Sequence, residues 1–164
     1  MIILGVDPGS HVTGYGAVVD AGRGKLTSLG WGTVKTVADA PLPARLKTVA
    51  DGLRGAIERF APDVVALEES FFAKDVSAAM KLGHVRGVVM LVAEEAGKPV
   101  AEYAPRLIKQ TVTGYGAADK KQVQTMVRHL LALAETPTPY DAADALAIAL
   151  THAVHAKTAA RLAR

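Results

Sequence analysis

The chain has no cysteine, a single tryptophan, and aromatic residues at only 5% of its 164 positions. Without cysteine there is no disulfide framework and no thiolate metal site, and the composition suits a reducing compartment. The N-terminus shows no basic lead before an apolar stretch, and no apolar run is read as approaching the length of a membrane span. The expectation is a cytoplasmic protein with no membrane partner. Charge is also sparse, at 21% of residues against 50% hydrophobic, which excludes a disordered chain. This length fits one domain with a substantial core. The expected domain covers residues 1–156, with 157–164 a short basic tail carrying Lys157, Arg161 and Arg164. No internal repeat or low-complexity linker divides it.

An acidic excess is missing too: the net charge is +3 and the sequence pI about 9.2. That leans toward an anionic partner. The distribution is more telling, because from Arg106 to Arg128 the cations Lys109, Lys120 and Lys121 are opposed by Asp119 alone. Gln110, Thr111, Thr113, Gln122 and Gln124 lie among them, so the stretch can follow a nucleic-acid backbone or be a solvated helical face.

What is present is organised around Gly5-Val6-Asp7-Pro8-Gly9. An apolar run from Met1 to Val6 reads as a buried strand, and Asp7 stands where it stops. Pro8 and Gly9 turn the chain, and Gly14 and Gly16 let it re-enter as a second strand, Tyr15 to Val19. A carboxylate ending a buried strand must be paired, hydrogen-bonded or bound to metal. Alternatively, Asp7 caps its own turn. Leu26 to Lys35 predicts a third strand, completing an antiparallel meander. Pro41 and Pro43 open a helix with apolar spacing at Leu46, Val49, Leu53, Ile57 and Phe60. Val64 to Leu67 is unbroken and apolar, as a central strand buried on both faces would be, and it ends in Glu68 and Glu69.

A loop with Phe71 and Phe72 leads to a helix from Val76 to Ala96. There Gly83 and Gly87 allow close approach of another helix, inside the fold or across a dimer seam. A fifth strand covers Val100 to Ala104, followed by helices from Arg106 to Val112 and from an Asp119 cap to Leu133. The last helix starts at Asp141 or Ala142 and runs to Ala156. The order predicts an α/β fold with a mixed five-stranded sheet, meander plus parallel strands, and helices on both faces. A helix-linked Val64 strand lies parallel to the first, which brings Asp7 and Glu68 to one edge.

Asp141 and Asp144 share a helix face at i, i+3 spacing. Asp141 could serve as a cap, whereas Asp144 sits among alanines and Leu146, where a charge needs a partner. Four like charges gather only if protons or cations neutralise them. With oxygen ligands alone the natural ions are Mg²⁺ or Mn²⁺, familiar as pairs about 4 Å apart in phosphodiester chemistry.

Asp-Pro-Gly-Ser-x-x-Thr-Gly-Tyr-Gly at 7–16, Ala-Leu-Glu at 66–68, Ile108-Lys109-Gln110-Thr111, and the run from Asp141 through Asp144 and Ile148 together resemble the RuvC family of Holliday junction resolvases. The likeness runs from about residue 2 to 155. It implies a ribonuclease H-like fold, a homodimer, and Mg²⁺-dependent paired nicking of four-way DNA junctions that leaves 5′-phosphate and 3′-hydroxyl ends, in recombination and repair. Two ions per site are implied, with Mn²⁺ able to substitute, and RuvA and RuvB as partners in the bacterial cytoplasm. The resemblance places catalytic and metal-binding acids on Asp7, Glu68, Asp141 and Asp144, the base-contacting aromatic on Phe71, and basic residues near the site on Lys109 and Lys120. Lys120 would position water or offset charge in the transition state. Candidate DNA contacts are Phe71, Phe72, Lys74, Lys81, Arg86, Arg106, Lys109, Lys120 and Lys121. Glu69 departs from the family pattern and is expected to face away from Glu68.

Three rivals stand beside this reading. Asp7-x-Gly9 is similar to the phosphate hairpin of sugar-kinase and actin-like ATPases, which need two such domains. A ribonuclease H-like nuclease acting on RNA or other branched DNA, and a junction-binding protein with structural acids, are the others.

Overall fold

The computed structural model describes residues 1–22, 24–69 and 75–162, with the backbone alone for 157–162. Strands β1 (Ile2–Asp7), β2 (Val12–Asp20) and β3 (Leu26–Lys35) form the expected antiparallel meander. After helix α1 (Leu42–Phe60), strand β4 (Val64–Glu68) pairs parallel with β1. Helix α2 (Val76–Glu95) leads to β5 (Val100–Tyr103), parallel to β4. Helices α3 (Pro105–Thr113), α4 (Lys120–Leu130) and α5 (Tyr140–Leu162) follow. The strand order is β3-β2-β1-β4-β5, so β1 and β4 sit at the centre.

Side-chain alternation assigns the two faces. Ile3, Val64 and Ala66 pack with α3, α4 and α5 on one side, while Leu4, Val6, Val65 and Leu67 pack with α1 and α2 on the other. By the same period of two, Asp7 and Glu68 belong to the α5 face and Glu69 to the opposite one. The register carries this to the strand ends, since Val6 pairs with Leu67 immediately before the two acids.

α5 lies very close to the sheet. A Cβ on Gly5 would stand 2.0 Å from the Ala145 carbonyl oxygen, and one on Gly14 would stand 2.0 Å from that of Asp141. Gly14 pairs with Asp7 and Gly16 with Gly5, so these glycines form a trough beneath the helix. The sequence suggests only that they help the chain re-enter the sheet; they also seat α5. Ala142, Ala143, Ala145 and Ala149 on the helix are fully buried, and their small side chains permit the approach.

Several boundaries differ from expectation. β2 starts at Val12, because its pairing with β3 begins at Val12 opposite Lys35. α5 starts at Tyr140, which places Asp141 inside the first turn, and helix continues to Leu162 through most of the expected tail. α2 also corrects the reading of apolar runs, since its length and composition alone would let it cross a membrane. Its Val85, Val89, Val92 and Ala93 are buried, making it a layer of this fold, and it carries Lys81 and Arg86. A Cβ on Gly83 or Gly87 would meet nothing within 4 Å, and Met80 and Leu91 are exposed. That outer face of α2 forms, with Leu46 and Val88, an open apolar groove of about 480 Å³.

Candidate active site

The turn bearing Asp7 is held from both sides. Thr13, fully buried, donates its hydroxyl to the Gly9 carbonyl at 2.9 Å and accepts from the Gly9 amide at 3.3 Å. Arg45, reaching from α1 and only 8% exposed, donates to the Ser10 carbonyl through Nε at 3.0 Å and through Nη2. Thr36 adds a hydroxyl bond to the same carbonyl at 3.0 Å. Thr13 belongs to the family motif at 7–16, but its bracing of the turn, like that by Arg45 and Thr36, is not read from sequence. The Gly9–Thr13 spacing was the available signal for Thr13, whereas Arg45 reads like any helix cation until the fold is known.

The four acids come together electrostatically. Burial is the main reason that the Asp7 carboxyl is pushed up to about 8, and the charges of Asp144, Glu68 and Asp141 push the same way. Burial also raises Glu68 and Asp144; Asp144 adds to the effect on Glu68, and Asp141 to that on Asp144. Lys120 opposes the rise at Asp7, Glu68 and Asp144, and Lys109 opposes it at the latter two. Lys120 Nζ stands 3.9 Å from Asp144 Oδ2. It is delivered by a capping box, in which the Asp119 carboxylate accepts from the Gln122 amide at 2.8 Å and the Gln122 side chain accepts from the Asp119 amide at 2.9 Å. That cap puts Lys120 at the first residue of α4.

The expected basic residues divide into groups. Lys109 and Lys120 face the acids. Arg106 and Lys109 line an open groove of about 660 Å³ with Gln110 and Tyr115. Lys121 borders a neighbouring cavity of about 420 Å³ with Tyr115, Gln122 and Met126. Lys81 is exposed on α2. Arg86 is occupied elsewhere, as its guanidinium bonds the Glu68 main-chain carbonyl and the Glu102 carboxylate. Phe71, Phe72 and Lys74 lie outside the described residues. The Glu69 amide donates to the Tyr103 carbonyl at 2.8 Å, extending the β4–β5 pairing one residue past Glu68.

The donor set suits a hard cation. All four acids offer oxygen, and partial burial makes their unneutralised charges costly. Among the described residues no group of three acid or imidazole side chains is placed to hold a metal ion by itself. An ion such as Mg²⁺, which keeps waters and shares ligands with a phosphate, does not need three protein ligands at once.

The profile of the family described as "Crossover junction endodeoxyribonuclease RuvC" matches residues 3–152. The chain belongs to the RuvC family. The RuvC protein of Pectobacterium carotovorum is 54% identical over 151 residues, covering 92% of this chain and 86% of that one. The RuvC protein of Chloroflexus aurantiacus is 49% identical over 161 residues, covering 98% of each. Thermus thermophilus RuvC, solved in complex with a Holliday junction substrate, superposes with a TM-score of 0.91 at 41% identity, covering 97% of this chain and 96% of that one. These RuvC neighbours bear out the ribonuclease H-like architecture expected of the sheet. RuvC proteins are metal-dependent nucleases.

The raised carboxyls have a consequence for stability. A folded-state pKa above the unfolded value means that the fold holds a proton the unfolded chain has released. Stability contributed by Asp7 is therefore present below its ordinary value of 3.8 and is lost as pH rises through about 8. His152 acts in the opposite sense: burial, then His155, hold it below 6.5, so its contribution falls as pH drops under that value. Between about pH 7 and about pH 8 the acids set the slope. Urea unfolding of metal-free protein is expected to show stability falling by up to about 1.4 kcal/mol per pH unit there, with Mg²⁺ flattening the decline. A rise with pH would contradict the clustering.

Proposed function

We propose that this chain resolves Holliday junctions by paired, symmetric nicks that leave 5′-phosphate and 3′-hydroxyl ends, within a nuclease domain spanning residues 1–156. The observation that carries the reading is the convergence of Asp7, Glu68, Asp141 and Asp144 at one sheet edge, with Lys109 and Lys120 beside them, in a chain of the RuvC family.

Asp7, between the central strand ends and α5, would act as a metal ligand together with Glu68, Asp141 and Asp144. These acids would hold two Mg²⁺ ions, which Mn²⁺ could replace. When bound, these ions supply Lewis acidity at the scissile phosphate and acidify the attacking water. Lys120 offsets charge that develops on the phosphate, and its ion-pair distance to Asp144 leaves it free to shift toward substrate. Arg106, Lys109 and Lys121, with Phe71, Phe72, Lys74 and Lys81, guide the DNA backbone and bases to the acids.

A four-way junction presents two equivalent strands, so two sites related by a two-fold axis are needed for matched nicks. A second copy of this chain covers the apolar outer face of α2. The protein acts in the cytoplasm, where RuvA and RuvB are its partners in recombination and repair.

The test is a cleavage panel of four-way junction, linear duplex, flap and RNA–DNA hybrid, each with Mg²⁺ and with Mn²⁺. The expected result is paired nicking of the junction, with the other substrates cut at least about tenfold more slowly. Preferential cutting of the hybrid would favour an RNA-directed enzyme, and binding without cutting in either metal would indicate a structural role for the acids.

A further inference from the structure

Glu68 stands at the very end of β4, where strand pairing gives its peptide the least support. On the sheet face opposite the acids, a guanidinium supplies that support. Arg86 of α2 donates through Nη1 to the Glu68 main-chain carbonyl and through Nη2 to the Glu102 carboxylate on β5. Glu102 is the register partner of Leu67, so alternation places it on the α1–α2 face, where Arg86 can reach it. The Arg86 side chain is 16% exposed and that of Glu102 is 35% exposed. One planar cation thus ties the last peptide of β4 to its neighbouring strand. Such a charge-assisted fork has both direction and strength.

We infer that Arg86 and Glu102 are positioning residues that fix the Glu68 peptide, and through it the direction in which the Glu68 carboxylate meets the other acids. The inference rests on the reading of Glu68 as a metal ligand proposed above. The geometry favours this role over a direct DNA contact for Arg86, since both ends of its fork are engaged within the fold and on the face away from the acids. It also makes α2 a physical link: the helix whose outer face is open to a second copy holds the end of β4 with its inner flank. Neither residue touches the reacting atoms. Their effect is carried by the main chain of Glu68 and by the pairing of Glu69 with Tyr103, and the Arg86 charge also acts through space on the Glu68 carboxylate.

The experiment compares Arg86→Ala, Arg86→Lys, Glu102→Gln and Glu68→Gln with the wild type. Its readouts are single-turnover nicking, junction binding in Ca²⁺, calorimetric Mn²⁺ binding without DNA, and hydrogen exchange of the Glu69 amide in metal-free protein. Arg86→Ala is expected to slow nicking about tenfold, weaken Mn²⁺ binding by a similar factor, and leave junction affinity within about twofold. Glu69 exchange should rise about tenfold as the strand end loosens. Arg86→Lys keeps the charge but not the fork, and should recover less than half of the loss. Should Arg86→Ala fail to fold, the milder Glu102→Gln carries the same test.

Lost junction affinity with unchanged nicking at saturation would make Arg86 a DNA contact and overturn the inference. So would unchanged Mn²⁺ binding and Glu69 exchange in Arg86→Ala. An inert Glu68→Gln beside a fully active Arg86→Ala rejects the positioning role alone, whereas a fully active Glu68→Gln rejects the ligand reading on which it rests.

Discussion

Asp7→Asn is expected to abolish junction nicking, by about 10³-fold or more, while making the metal-free protein more stable. The two effects share one cause. Asp7 is the acid on which the other three act, and burial together with their charges pushes its carboxyl up to about 8. Asparagine keeps the shape and one oxygen, but it removes the charge that a cation must balance. Nicking should be measured in single turnover at saturating Mg²⁺, with junction affinity in Ca²⁺ as the control; affinity is expected to remain within about twofold. In EDTA, the difference in stability between variant and wild type should be near zero at about pH 4. It should grow as pH rises and level off above about pH 8. The full shift would correspond to roughly 6 kcal/mol, and relaxation and water entry should leave about 1–3 kcal/mol. Normal nicking by the variant would remove Asp7 from the centre of the site.

Gly14→Ala is expected to destabilise the protein by about 3 kcal/mol or more, and to lower nicking even where the variant remains folded. The added Cβ would stand 2.0 Å from the Asp141 carbonyl oxygen and 2.4 Å from its carbon. Those are backbone atoms of the α5 first turn, so the helix end must move, and Asp141 and Asp144 move with it. A misplacement of about 1 Å can cost about 10²-fold in rate. Gly5→Ala meets the Ala145 carbonyl at the same 2.0 Å and should destabilise comparably, though one turn farther from the acids. Gly55→Ala is the control, because its Cβ would meet nothing within 4 Å on an exposed part of α1. It should stabilise by about 0.5–1 kcal/mol. Urea midpoints of the three variants check the account, and a wild-type midpoint for Gly14→Ala would show that the helix does not depend on the glycine trough.

The clearest signals in the sequence were local. Apolar runs stopping at Asp7 and at Glu68 marked strand ends, and alternation placed Glu69 on the opposite face from Glu68. The spacing of Asp141 and Asp144 marked one helical face, and Asp119 marked the start of the helix that delivers Lys120. Each of these depends on neighbours within a turn or two, so the residues themselves carry the information. Arg86 shows the opposite case. Read in sequence it is one more cation on a helix, and it groups with the candidate DNA contacts. Its partners are 18 residues away at Glu68 and 16 away at Glu102, across two strands. Arg45 is similar, since its partner Ser10 lies 35 residues earlier.

The sequence by itself determined the mixed sheet, the parallel placement of β1 and β4, and the carboxylates at their ends, because strand period and chain order carry those constraints. Tertiary structure alone decided how closely α5 approaches Gly5 and Gly14, and which cations face the acids. It also decided that Arg86 braces the Glu68 peptide from behind. Those outcomes depend on packing distances between segments far apart in the chain, and no local pattern of residue types encodes them.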